Sequence, residues 1–212
     1  MIGIFGGTFD PIHCGHLRTG LELMEALRLD ELRWVPVGNP GHRDPPRAAA
    51  SLRLAMVRAA IAGQPGFVLD EREIHRAGVS YTFDTLNEIR RERPQQPLCL
   101  LLGMDAFSGF HTWSHALEIL QLAHLIVATR PGCAMPADGP SAALLAARRA
   151  ADPHDLRAAG AGLIHVRAVT SLEISSTELR DLLQRGGDPR YLVSEAVRAI
   201  ILESGCYAAR AV

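Results

Sequence analysis

Apolar residues along the chain fall into two alternating patterns. Ile2, Ile4 and Phe5, then residues 32–37, 98–102, 125–128 and 163–166, form short apolar runs bounded by Gly, Pro or charge. Runs of that length are what strands buried on both faces of a parallel sheet require. Between them the apolar positions recur at helical spacing. Leu17, Gly20, Leu21, Met24 and Leu27 make one stripe, while Leu54, Val57, Arg58 and Ile61 mark a second within 52–61. Phe83, Leu86 and Ile89 mark a third, with Ser80 standing where an N-cap belongs. Strand and helix in alternation predict an α/β chain: a doubly wound parallel sheet followed by a C-terminal helical segment from about residue 174. Right-handed crossovers would bring the C-terminal ends of the strands to one edge, where such sheets bind ligands.

Two stretches lack a period. Residues 39–50 are rich in Pro, Gly and Arg, and residues 130–140 hold three prolines and two glycines, so both read as loops. Alternation resumes after each, which argues against a linker and for one domain over residues 1–212. An alanine-rich stretch at 142–151 reads as helix. With 212 residues and 48% hydrophobic composition, the chain can bury a sizeable core. Its formal net charge of −1 lacks the basic footprint of a nucleic-acid binder, so any phosphate binding must rest on local charge. Cys14, Cys99, Cys133 and Cys206 are scattered, without a metal or disulfide spacing, as suits a reducing compartment. No apolar run is long enough to span a bilayer, no basic leader precedes the first strand, and a cytoplasmic location is expected.

The densest chemistry lies at residues 6–16, Gly-Gly-Thr-Phe-Asp-Pro-Ile-His-Cys-Gly-His, between the first strand and the first helix. Gly6 and Gly7 allow close backbone approach, and the helix start offers free N–H groups and the positive end of its dipole to an anion. His13 and His16 stand at that helix start and can aim donors at the same charge. A His-x-x-His metal pair is the competing reading. It lacks the Cys or acidic partners that a zinc site needs, so no metal site is expected in the protein itself. The glycines Gly3, Gly6, Gly7 and Gly15 also depart from the dinucleotide fingerprint, although the sheet is Rossmann-like. Near the C-terminus, Ser175 and Glu178 fit a capping box that opens a second helix. Arg180, one turn on, can lean back toward that helix start and grip an anion there.

The 6–16 loop resembles the signature of the adenylyltransferase branch of the nucleotidyltransferases, and Ile174-Ser175-Ser176-Thr177-Glu178-Leu179-Arg180 resembles that family's second phosphate motif. Over its whole length the chain is similar to the bacterial nicotinate-nucleotide adenylyltransferases. The resemblance implies transfer of an adenylyl group from ATP to nicotinate mononucleotide, a step of NAD biosynthesis. His13, His16 and Arg180 would be the catalytic residues. Gly6, Gly7, Thr8, Phe9, His13, His16, Gly103, Asp105, Arg130, Ser175, Ser176, Thr177 and Arg180 would bind ATP.

The acceptor is carried by other segments. Ser80-Tyr81-Thr82-Phe83-Asp84-Thr85-Leu86 is similar to the family element in which Thr82 meets the nicotinate carboxylate. Trp113 corresponds to a ring stacked on the pyridine, and Ser114 stands where some members have Tyr. The loop Asn39-Pro40-Gly41-His42-Arg43 replaces the usual Pro-Pro-His-Lys, so Asn39, His42 and Arg43 join Thr82, Trp113 and Ser114 as the expected mononucleotide contacts. Mg²⁺ is expected through the substrate phosphates, with no dedicated carboxylate cage. The alternatives are another phosphorylated acceptor, nicotinamide mononucleotide or phosphopantetheine, or a nucleotide-binding module without turnover. Assembly as a homo-oligomer is left open.

Overall fold

The strands are β1 (Ile2–Gly7), β2 (Glu31–Pro36), β3 (Phe67–Leu69), β4 (Leu98–Gly103), β5 (His124–Thr129) and β6 (Ile164–Ala168). All pair in parallel, in the order β3-β2-β1-β4-β5-β6. The structure, a computed structural model, describes residues 1–41, 45–130 and 135–209. The helices are α1 (Cys14–Leu27), α2 (Ala50–Ile61), α3 (Arg72–His75), α4 (Thr82–Glu92), α5 (Met104–Ser108), α6 (Ala116–Leu122), α7 (Gly139–Arg148), α8 (Pro153–Ala158), α9 (Ser176–Gln184) and α10 (Glu195–Ser204). None of them is long and apolar enough to cross a membrane.

Strand alternation divides the core into two layers. In β4, Leu98, Leu100 and Leu102 join one cluster with Ile2, Ile4, Leu86, Phe107 and Ile119, while Cys99 and Leu101 join the other with Leu23, Trp34, Met56 and Ile201. Both sheet faces are therefore covered, which is why the central strands read as continuous apolar runs. The strand order reverses between β1 and β4, so their C-terminal ends, Gly7 and Gly103, flank the switch point at which a doubly wound sheet opens a crevice.

Some elements differ from the sequence expectation. β3 has three residues with no fully buried position, and its apolar run is too short to mark a strand. α6 and α8 are short and were not anticipated. Of the second stripe, Arg58 proves exposed and pairs with Glu71, whereas Arg53 is the arginine buried in that helix. α7 stops at Arg148 because Arg149 leaves to bridge Ile164 on β6. Ser80 is not the cap of α4. Tyr81 occupies that position without a side-chain bond, while the Ser80 N–H donates to Asn39 O at 3.0 Å and its hydroxyl is buried without a partner.

Candidate active site

The loop between β1 and α1 is pinned from beneath. Arg53, almost fully buried on α2, donates to Thr8 O at 2.8 Å, Val37 O at 2.7 Å, Gly38 O at 3.2 Å and Ala48 O at 3.3 Å. One guanidinium thus ties the chain after β1 to the chain after β2. Asp10 does the reciprocal work with acceptors. Its carboxylate takes N–H bonds from Arg47 at 2.8 Å and Ala48 at 3.1 Å, and the Tyr207 hydroxyl at 2.7 Å. The backbone at Phe9 is left-handed, with φ of 47°, and its ring is buried edge-on to Phe5 and His16. A residue with a Cβ rarely holds that conformation, and the packed ring is what fixes it here.

His13 is the N-cap of α1, and its ring stacks on His16 with centroids 3.7 Å apart. A Cβ at Gly15 would stand 3.0 Å from His13 Nδ1, so the residue between the histidines has to be small for the rings to stack. The backbone N–H of His13 donates to His16 Nδ1 at 3.3 Å. That bond requires Nδ1 to be unprotonated, so neutral His16 carries its proton on Nε2. Burial, and secondarily the charge of Arg130, lowers His13 from 6.5 to about 4. Burial first, then His13 and Arg130, holds His16 well below the usual imidazole range. Both rings are neutral donors at neutral pH. His13 Nδ1 is buried with no protein partner.

The opposite wall is the start of α9. Ser175 caps it by accepting from Glu178 N at 3.1 Å, and its hydroxyl donates to the Glu178 carboxylate at 2.9 Å. The Ser176 hydroxyl donates to Pro11 O at 2.9 Å. Arg180 leans back one turn, donating to Thr177 Oγ1 at 3.2 Å and to Asp10 O at 2.8 Å. The helix start is therefore bonded to the histidine loop at two points, and its first-turn amides face the same space as the imidazoles.

That space has two lobes. One, of about 650 Å³, is lined by His13, His16, Gly103, Asp105, Arg130 and Ser175 among others. The second, of about 1120 Å³, is bounded by Gly6, Gly7, Thr8, Phe9, Arg47 and Arg180. His16 and Ser176 line both, and Thr177 lines the second. Every residue expected at ATP thus borders one lobe or the other. The residues expected at the mononucleotide are not gathered in this way. Asn39, Thr82, Trp113 and Ser114 line neither lobe, and Trp113 packs on Phe110 with centroids 5.5 Å apart. Phe83 stacks on His115 at 4.5 Å, which joins the start of α4 to the segment carrying Trp113 and Ser114. His42 and Arg43, like Pro131, Gly132 and Cys133, lie outside the described residues.

Sequence reasoning missed Asp10, Arg47, Arg53 and Tyr207. Arg53 did leave a trace, because it sits four and eight positions before Val57 and Ile61 and so on their buried stripe. Tyr207 left none. Its partner lies 197 positions away in sequence.

Comparison with known proteins gives the family. The family model for cytidylyltransferase-like proteins matches residues 4–182. A probable nicotinate-nucleotide adenylyltransferase of Aeromonas hydrophila is 46% identical over 97% of the chain and 96% of its own length. One from Halorhodospira halophila is 46% identical over 97% and 94%. Among solved structures, nicotinic acid mononucleotide adenylyltransferase of Plasmodium falciparum, complexed with NaAD, superposes with a TM-score of 0.73 at 16% identity, covering 97% of this chain and 96% of its own. That likeness shows the shared fold, and the identities with the bacterial relatives carry more. The chain belongs to the cytidylyltransferase-like family and, within it, to the nicotinate-nucleotide adenylyltransferases.

Proposed function

We propose that the chain transfers the adenylyl group of ATP to nicotinate mononucleotide, giving nicotinate adenine dinucleotide and pyrophosphate in NAD biosynthesis. The observation that carries this reading is the two-lobed cleft whose lobes meet at His16 and Ser176. A triphosphate laid across that junction meets imidazole donors from one side and free helix amides from the other.

The 5′-phosphate of the mononucleotide attacks the α-phosphorus of ATP in line. The bond from that phosphorus to the β-bridging oxygen breaks, and pyrophosphate leaves with the electron pair. The attacking phosphate is already ionised near neutral pH, so catalysis is positioning plus stabilisation of charge on the reacting phosphoryl group. His16, with its proton on Nε2, donates to the phosphate oxygens, and His13 stands beside it. Arg180 and the amides of Ser175, Ser176 and Thr177 hold the departing pyrophosphate. A well-aimed donor of this kind contributes about 3 kcal/mol to the transition state. Gly103, Asp105 and Arg130 line the adenosine side.

Mg²⁺ would be held through the substrate phosphates and would offset their charge there. The carboxylates among the described lining residues are those of Asp10 and Asp105, and Asp10 is taken up by Arg47, Ala48 and Tyr207. Among the described residues no group of three or more His, Cys, Asp or Glu stands where it could hold a metal. This donor set supports an ion held by phosphate oxygens and water rather than by the protein.

Preference for the acid over the amide is supported by the start of α4. Tyr81 supplies no side-chain cap, so the first-turn amides stay open. A nicotinate carboxylate brings acceptors to these donors. The nicotinamide –NH₂ would bring a donor instead. The free thiols Cys14, Cys99 and Cys206 support a reducing, cytoplasmic setting.

The test is pyrophosphate release with ATP, Mg²⁺ and, separately, nicotinate mononucleotide, nicotinamide mononucleotide and phosphopantetheine. Nicotinate mononucleotide is expected to turn over fastest. Absence of release with it would overturn the reading, and faster release with phosphopantetheine would replace the acceptor.

A further inference from the structure

The C-terminal segment enters the phosphate site from below. α10 is capped by Gly205, which adopts φ of 59° and returns its N–H to Ile201 O at 3.0 Å. That left-handed turn reverses the chain and sends Tyr207 back beneath the β1–α1 loop. The ring is 1% exposed, and its hydroxyl donates to Asp10 Oδ1 at 2.7 Å. Burial first, then the hydrogen bond and charge of Asp10, raises the phenol far above its ordinary range, so it remains a donor at any working pH.

Asp10 connects this phenol to the rest of the site. Its carboxylate accepts from the amides of Arg47 and Ala48, which begin the approach to α2 and border the larger lobe at Arg47. Its carbonyl accepts the Arg180 guanidinium at 2.8 Å, and the Arg180 Nη1 to Asp10 Oδ2 distance is 4.0 Å. The guanidinium is thus aimed by Asp10 from one side and by Thr177 from the other. Asp10 is 5% exposed and Tyr207 less, so no bulk water stands ready to replace the phenol if it is removed.

We infer that Tyr207 is a positioning residue for adenylyl transfer: through Asp10 it sets the guanidinium of Arg180 and the 45–49 segment over the departing pyrophosphate. This rests on the adenylyl-transfer reading above. The phenol touches no substrate. It fixes the carboxylate, the carboxylate fixes the turn at Asp10, and the carbonyl of that turn orients the cation. Loss of the hydroxyl lets the turn relax while leaving the adenosine lobe as it was.

The experiment uses the full chain with Tyr207→Phe, which keeps the ring and removes one donor. Titration calorimetry with pyrophosphate and, separately, adenosine reads the two lobes without turnover. The expected result is about tenfold weaker pyrophosphate binding, the scale of one buried hydrogen bond, with adenosine binding unchanged. In turnover, kcat falls by a similar factor with little change in the KM for nicotinate mononucleotide. In an Arg180→Ala background, Tyr207→Phe adds less than about twofold, because the two act through one link. Equal weakening of both ligands, or losses that multiply in the double variant, would make Tyr207 a mere structural support and overturn the inference. If Tyr207→Phe does not fold, Asp10→Asn is titrated with the same two ligands under the same criteria. A wild-type chain that binds pyrophosphate but does not turn over would instead remove the functional reading, leaving the titrations to decide the link.

Discussion

His13→Asn tests whether the phosphate loop holds a neutral imidazole at a cost that grows with acidity. Burial, with Arg130 second, takes His13 from 6.5 to about 4. In the unfolded chain the ring binds a proton below about 6.5, whereas the folded ring stays neutral until about 4. Between those values the unfolded state holds more protons, so stability rises with pH across the window. The contribution of neutral His13 is complete above the unfolded value and is lost as pH falls toward the folded one. At a pH of about 5 the proton-binding ratio of the two states is about 30, or roughly 2 kcal/mol, and near pH 4 it is roughly 3 kcal/mol. The side chain is 5% exposed, so solvent screening removes little of this. Asn keeps a polar side chain of similar reach without titrating, and His16 titrates in both proteins, so most of its effect cancels in the comparison. Urea unfolding at pH values of about 7.5 and 5 measures the difference. Wild type is expected to lose about 2 kcal/mol more than His13→Asn between the two conditions. Identical pH dependence in the two proteins would show that His13 is not held neutral by burial, and the neutral-donor account of the pair would fall with it.

His16→Ala removes the donor that borders both lobes; kcat should drop about a hundredfold with the far-ultraviolet dichroism unchanged, and near-normal turnover would end its phosphate role. Trp113→Ala should raise the KM for nicotinate mononucleotide several-fold more than that for ATP, and equal changes would remove the stacking assignment. Arg53→Met leaves four backbone carbonyls without their donor and should cost about 3 kcal/mol, a fall in Tm of roughly 6–12 °C by calorimetry. An unchanged Tm would mean that the two loops hold each other without the guanidinium.

The proposed phosphate site could be read from the sequence because its chemistry is local. Gly6 and Gly7, the two histidines and the Ser175–Glu178 cap each act within a few residues, at a strand end or a helix start, where spacing and geometry are nearly the same thing. Arg180 could be placed for the same reason, since a helical side chain leans toward the preceding turn. The frame beneath was not legible. Tyr207 meets Asp10 across almost the whole chain, and Arg53 reaches four carbonyls that carry no side-chain signal. β3 escaped because its apolar run, Phe67-Val68-Leu69, is only three residues long and sits on an edge strand. Ser80 misled because a serine before a helical stripe looks like a cap, whereas the backbone uses it to fasten Asn39 and leaves its hydroxyl unspent.

Division of labour between the proposed phosphate and acceptor regions follows from how each is held. The phosphate end is cross-linked by buried bonds: Arg53 to the loop carbonyls, Tyr207 to Asp10, Ser176 to Pro11. The proposed acceptor region hangs on α4, which is fastened by charges at its flank. Arg33 and Arg72 both reach Asp70 and Glu92, and the Thr85 hydroxyl donates to Glu73 while accepting from Arg76. These attachments differ from those around Asp10, so on the proposed assignment substitutions at Thr82 or Trp113 are expected to alter the acceptor surface more than the triphosphate grip. A chain built this way can keep one adenylyl-transfer apparatus while its acceptor changes. On the proposed reading, the glycine and histidine loop carries the reaction, and the start of α4 with the Trp113 segment selects the substrate.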